Sequence, residues 1–176
     1  YTLTQADVGA TITVTASYTD GEGTAESMTS LATAAVVNVN DAPAGAVYIT
    51  GTVTEDQTLT ASNNISDEDS ILNPEFPSDF NYQWNRSGVA IVGATGSTYT
   101  LTQADVGAAI TVTASYTDGQ GTAESVTSAA TAAVANVSHP VTGTVTISGT
   151  ATEDQTLTAA NNLADADGLG NISYQW

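Results

Sequence analysis

Carboxylates are the abundant reactive groups in this chain. Nineteen Asp and Glu residues face a single Arg, one His and no Lys, for a formal net charge of −18. Such a surface repels nucleic acid and anionic membranes, because it cannot supply the charge that neutralises phosphates. It attracts divalent cations, which take carboxylate and amide oxygens as ligands. The acids are not gathered in one solvated tail. They fall in short turn-like segments such as Ser66-Asp67-Glu68-Asp69-Ser70, Glu55-Asp56 and Asn40-Asp41. That spacing argues against simple disorder. Asp and Asn also favour turns for backbone reasons alone, so a purely structural role competes at each position. Asp165-Ala166-Asp167-Gly168 lacks the twelve-residue spacing and flanking helices of an EF-hand.

Other chemistries are poorly supplied. Without Cys there is no disulfide or thiolate, and without Lys there is no lysine-based cross-link or catalysis. A nucleophilic Ser or Thr needs an adjacent base, and the lone His139 lies in a polar stretch where solvent exposure is the expected state. Paired carboxylates serve glycoside hydrolysis, but nothing singles out a pair or a cleft. The expectation is a protein without catalytic residues. No apolar run approaches the ~18 residues of a membrane span. No leader is visible, which says nothing about secretion.

The elements that must position the acids read as strands. Residues 109–116 alternate, with Ile110, Val112, Ala114 and Tyr116 on one face and Thr111, Thr113 and Ser115 on the other. Asp118-Gly-Gln-Gly121 is a hairpin turn, and a Thr/Ala/Val run over 122–137 returns antiparallel. Earlier strands are marked by Val47, Ile49 and Val53; by Leu59; by Phe80, Tyr82 and Trp84; by 88–92; and by Tyr99 and Leu101. With the closing hairpin this makes seven short strands and no significant helix, an all-β, two-sheet sandwich. Alternation with polar neighbours marks Phe80, Tyr82 and Trp84 as core residues rather than a sugar-stacking platform. Ala and Val fill many inward positions, so a module should be only moderately stable alone.

The pattern repeats. TLTQADVGA at 2–10 returns at 100–108, VTASYTDG at 14–21 returns at 112–119, and TEDQTLTA at 54–61 returns at 152–159. Each copy lies 98 positions downstream, and a period of one domain length indicates tandem modules. The expected division is a complete module at 42–139, the C-terminal half of a module at 1–41 and the N-terminal half of another at 140–176. The halves are complementary. Together they lack only the equivalent of Asn85–Thr98, 14 residues. Each alone would leave open strand edges. They are expected to complete one another, either along one chain or between neighbouring copies, with head-to-tail contacts that build a fibre.

The residues carry a resemblance. Tyr82-Gln83-Trp84 is similar to the central-strand Trp of immunoglobulin-like sandwiches, and Ala104-Asp105-Val106-Gly107 to the Asp-x-Gly corner before their sixth strand. The whole pattern, with the closing Asn38-Val-Asn-Asp-Ala-Pro43, resembles the bacterial Ig-like tandem repeats of large secreted adhesins. That linker is also similar to the calcium-binding linkers of cadherin-like repeats. The Cys pair and corner Tyr of antibody domains are absent, so those tethers are not implied.

In the Ig-like scheme loops gather at two poles, and the resemblance then implies two calcium joints. The first would draw on Asp7, Asn40, Asp41, Asp67, Asp69 and Asp118. The second, weaker one would draw on Glu55, Asp56, Asp105, Asp165 and Asp167. It is expected to be weaker because Ser138 and His139 replace Asn40 and Asp41. The implied role is a non-catalytic spacer that extends and stiffens an extracellular or bacterial cell-surface adhesin or fibre, with Ca2+ at its joints. Its partners would be adjacent modules or neighbouring copies, with no nucleic acid and no membrane span in this segment. The alternative is a carbohydrate- or protein-binding module. That reading uses the loop at 71–79, which carries Phe76 and is the main insertion distinguishing the modules.

Overall fold

The computed structural model describes residues 1–70 and 80–176. The loop at 71–79, with Phe76, lies outside the described residues. The chain is all-β. Its strands are β1 (Thr15–Thr19), β2 (Ala25–Thr29), β3 (Val47–Thr50), β4 (Thr58–Asn63), β5 (Asn81–Arg86), β6 (Val89–Ala90), β7 (Thr98–Thr100), β8 (Ile110–Thr117), β9 (Ala123–Thr127), β10 (Val145–Ser148) and β11 (Thr158–Asn161). Single 3-10 turns occupy Gln5–Asp7 and Gln103–Asp105. Strands β3 to β9 make a three-stranded sheet, ordered β3-β4-β7, and a four-stranded sheet, ordered β6-β5-β8-β9. β1 pairs with β2, and β10 with β11. This is the sandwich-type architecture that seven alternating strands imply.

The alternation in β8 is realised. Ile110, Val112, Ala114 and Tyr116 are buried, while Thr111, Thr113 and Ser115 are partly exposed. The outward threonines pair across strands, Thr113 with Thr127 at 2.9 Å and Thr58 with Thr100 at 3.0 Å, contacts of the kind that stabilise sheets. Registers recur with the sequence period. Thr15↔Thr29 to Thr19↔Ala25 in the first hairpin match Thr113↔Thr127 to Thr117↔Ala123 in the second.

The expected return strand differs from what forms. The run at 122–137 is regular strand only over β9. After Thr127, hydroxyls replace ladder partners: the Val112 amide donates to Ser128 Oγ at 3.0 Å and the Ile110 amide to Thr131 Oγ1 at 3.0 Å. Such side-chain bonding competes with the main-chain ladder. The chain then forms parallel bridges, Val106↔Val134 and Thr54↔Ala135. The first hairpin repeats the device, with Val14 donating to Ser30 Oγ and Ile12 to Thr33 Oγ1. There the strand begins only at Thr15. β8 is flanked by β5 as well as β9, whereas β1 has β2 alone.

Contacts group the residues into two compact units, Tyr1–Val47 with Asn63–Tyr82 and Thr113–Thr127, and Tyr48–Ser62 with Gln83–Val112 and Ser128–Trp176. Their boundaries do not follow the 98-residue repeat. In the first unit Val47, Ile65, Tyr82, Ala114 and Tyr116 are buried. Phe80 meets Tyr116 edge-on at 5.4 Å, and Asn63 donates to the Tyr82 hydroxyl at 3.0 Å. In the second unit the core holds Leu59, Trp84, Leu101, Ile110, Val112 and Val134. Trp84 is fully buried, donates its indole N–H to Gly96 O at 2.9 Å and lies 5.8 Å from the Tyr99 ring. Gly45 has φ +96°, and a Cβ there would meet Asn64 O at 2.5 Å. This close approach ahead of β3 excludes any larger residue.

Trp84 joins area burial to a satisfied N–H, so its removal leaves both a cavity and an unmatched carbonyl. Trp84→Ala is expected to cost roughly 3–5 kcal/mol, read as a lowered urea midpoint by circular dichroism. A midpoint matching the parent chain would contradict this core.

Candidate functional site

Two corners account for two of the expected ligands. Thr4 and Thr102 each open a 3-10 turn with a capping box closed by an Asp three residues on. Asp105 is fully buried. It accepts from Arg86 Nε at 2.7 Å, the Tyr99 hydroxyl at 2.9 Å, and the amide and hydroxyl of Thr102 at 2.8 Å each. Asp7 accepts from the Tyr1 hydroxyl at 2.7 Å and from the amide and hydroxyl of Thr4 at 2.9 and 3.1 Å. Both carboxylates are consumed within their own corners. Asp7 and Asp105, expected at the calcium joints, are structural caps here, because the Thr-Gln-Ala-Asp turn points the carboxylate back at its own backbone.

The remaining acids gather at two places, one in each unit. In the first unit, Asp69 is fully buried and accepts from the Asp41 amide at 2.7 Å and from Gln5 Nε2 at 3.0 Å. Asp67 accepts from the Asp69 amide at 2.9 Å and from the Tyr116 hydroxyl. Burial, then the Asp67 carboxylate, hold that phenol above its ordinary range. Asn40 donates to Glu124 at 2.8 Å. Asp118 is 1 % exposed, and its Oδ1 accepts from the amides of Gln120 and Thr122. Its Oδ2 is buried with no hydrogen-bond partner, as is Asn38 Oδ1. The structure thus brings Asp41, Asp67 and Asp69 into one hydrogen-bonded string. It also leaves two sealed oxygens without donors, the kind of atom a hard cation satisfies.

In the second unit the same backbone contact recurs 98 residues on: the His139 amide donates to Asp167 Oδ2 at 2.7 Å. Asp165 accepts from the Asp167 amide at 2.9 Å, as Asp67 does from Asp69. Here the linker residue is an imidazole. Its Nδ1 lies 4.0 Å from Glu55 Oε2 and 3.6 Å from Asp167 Oδ1, and its Nε2 lies 3.6 Å from Asp56 Oδ2. Glu55 is 2 % exposed and accepts from the Val137 amide at 3.2 Å. With its amide turned to face the carboxylate, Gln103 donates to both Glu55 oxygens at 2.8 and 3.1 Å. Burial works against the charged imidazole, but Glu55, Asp167 and Asp56 outweigh it and raise its pKa. The backbone N–H of His139, then the Asn136 side chain, lower that of Asp167.

Among the described residues, Glu55, Asp56 and His139 are the group of three acid or imidazole side chains whose ligand atoms lie within 4.8 Å of one another. That set lies at the second segment, the joint expected to hold calcium more weakly. His139, Gln5, Gln103, Asn38 and Asn136 were missed as site residues. The period alone could have found the Gln and Asn pairs, which stand at equivalent positions. His139 occupies the position of Asp41, one metal-ligating type exchanged for another. No helix among the described residues is long and apolar enough to cross a membrane. Comparison with family models, curated proteins and solved structures finds no match.

Asp105 yields a pH test. Burial opposes its charge, but Arg86 and the Thr102 and Tyr99 donors outweigh that and hold it below its ordinary value. A carboxylate with a lowered folded pKa stabilises the fold above its unfolded value and loses that contribution as pH falls through the folded one. Stability should therefore decline as pH drops below about 4. Asp105→Asn should destabilise the fold at neutral pH by roughly 1–3 kcal/mol and flatten part of the acid limb. An acid limb identical to the parent chain would contradict this role.

Proposed function

We propose that this chain is a non-catalytic structural repeat of an extracellular or bacterial cell-surface adhesin or fibre, an Ig-like module array stiffened by calcium at its joints. The observation that carries this reading is the recurrence of one contact at equal geometry. The amide of the linker residue docks onto an Asp of the following repeat at 2.7 Å, at Asp41–Asp69 and again at His139–Asp167. A linker tied to the next repeat at each passage suits a spacer better than a flexible tether. Strands and repeats supply reach, at about 3.3 Å per strand residue.

Calcium is proposed for the first joint on the chemistry of its donors. Asp118 Oδ2 and Asn38 Oδ1 are buried oxygens without partners, and Asn40, Asp41, Asp67 and Asp69 add carboxylate, amide and carbonyl oxygens of the type Ca2+ takes six to eight of. A bound ion would offset the mutual repulsion of acids that have no Lys or Arg nearby in sequence. Proposed partners are adjacent repeats or neighbouring copies. The apolar faces of the outer hairpins fit that role. Tyr18 is 65 % exposed where its equivalent Tyr116 is 5 %, and Ile147 is 65 % exposed.

Calcium titration of the full chain, followed by calorimetry and thermal melting, tests the reading. Calcium should raise the melting temperature, since a ligand bound only to the folded state stabilises it. Asp118→Asn and Asp69→Asn should each weaken calcium binding at least tenfold, whereas Asp7→Asn should leave it unchanged. A melting temperature indifferent to calcium and chelator would overturn the calcium joint, as would an unaltered affinity in Asp118→Asn.

A further inference from the structure

The second joint differs from the first in one ligand type on an unchanged backbone. The amide of residue 41 or 139 donates to the Asp 28 positions on at 2.7 Å in both. The side chain carried to that place is a carboxylate at Asp41 and an imidazole at His139. That imidazole is not engaged in hydrogen bonding on the Nδ1 side. Nδ1 is buried and without a partner, although carboxylate oxygens of Asp167 and Glu55 stand 3.6 and 4.0 Å away. These separations are too long for hydrogen bonds. They approach the spacing of ligands around one small ion. Two N or O ligands about 2.0–2.1 Å from a tetrahedral zinc are roughly 3.3–3.4 Å apart. On the other side of the ring, Nε2 faces Asp56 at 3.6 Å. One ligand atom each from Glu55, Asp56 and His139 lie within 4.8 Å of one another.

We propose that Glu55, Asp56 and His139 form a site for a borderline divalent transition ion of the Zn2+ class, with Asp167 beside the Nδ1 edge of the ring. Ligand chemistry separates this site from a calcium joint. Imidazole suits Zn, Cu and Ni, while all-oxygen sets suit Ca and Mg. Glu55 is held for this task from two sides, by the Val137 amide at 3.2 Å and by the turned Gln103 amide. Asp167 is held through Oδ2 by the His139 amide, which leaves Oδ1 toward the ring. His139 also lines a pocket of about 410 Å³ with Pro140, Thr142 and Asp165. The inference rests on the joint reading above only for the setting of His139 between two repeats, not for calcium at the first joint.

The tag-free full chain is stripped with chelator and titrated with Zn2+ alone and, separately, with Ca2+ alone. His139 is the only His in the chain, so its imidazole nitrogens report binding directly by NMR. One equivalent of Zn2+ should shift one imidazole nitrogen resonance to a metal-bound position and leave the other nitrogen protonated. His139→Gln and His139→Asp should each lower Zn2+ affinity at least tenfold, the scale of losing a ligand or its support. Calcium at the same concentration should not displace the bound Zn2+. Unmoved imidazole resonances at equimolar Zn2+ would overturn the proposal. So would equal Zn2+ affinity in His139→Gln, or displacement by equimolar Ca2+. If a substituted chain fails to fold, the imidazole spectrum of the parent chain still decides. The Ca2+ titration reads the first joint by itself, so loss of the calcium reading and loss of this site give different results.

Discussion

Nineteen carboxylates and one arginine impose a rule on this structure: buried acids must find N–H and O–H donors, because cations are not available. Asp105 takes the single guanidinium, and even there three further hydrogen bonds from Tyr99 and Thr102 complete the shell. Asp7 has no arginine and relies on the Tyr1 hydroxyl and Thr4. Asp67 uses the Tyr116 hydroxyl, and Asp69 uses a backbone amide and a glutamine. Donors run out at Asp118 Oδ2, which is buried with no hydrogen-bond partner.

The same shortage explains why hydroxyls do so much of the bonding. Ser128 and Thr131 accept from amides that a regular ladder would have paired, and each hydroxyl donates to the next residue's carbonyl, at 2.9 and 2.7 Å. The strand ends without leaving the amides unpaired. The released segment then bridges to Thr54 and places Val137 and His139 beside Glu55. The irregularity after β9 is thus what carries the linker to its carboxylate. Placement of the second cluster depends on two side-chain hydroxyls some ten residues away.

Much of the fold was legible. Period-two alternation in 109–116 and in Phe80-Asn-Tyr-Gln-Trp84 marked inward faces, and the pleat leaves no other arrangement that hides the apolar set. The hairpin at Asp118 was legible from its Asp and Gly. The break after Thr127 was not, since the Thr/Ala/Val run continues to suit a strand by propensity. Of the site, the acid-rich segments were legible, but not their division of labour. Asp7 and Asp105 looked like ligands because capping acids and metal acids have the same composition. His139 looked like a solvated linker residue because its partners, Glu55 and Asp167, lie 84 and 28 positions away.

Identical local sequences separate what each level decides. Asp20 and Asp118 both accept amides two and four residues on, with the four-residue bond at 2.7 Å in each. Thr4–Asp7 and Thr102–Asp105 close the same capping box, and the two hairpins share one register. Sequence alone determined these, because every bond involved spans a few residues or follows from strand pleat and turn. Burial divides the copies. Asp118 and Tyr116 are sealed while Tyr18 is exposed, and Asp105 is sealed while Asp7 is not. Only the tertiary structure decided that difference. Desolvation depends on which distant strands cover a residue, and desolvation turns an ordinary turn acid into a group that needs a proton donor or an ion.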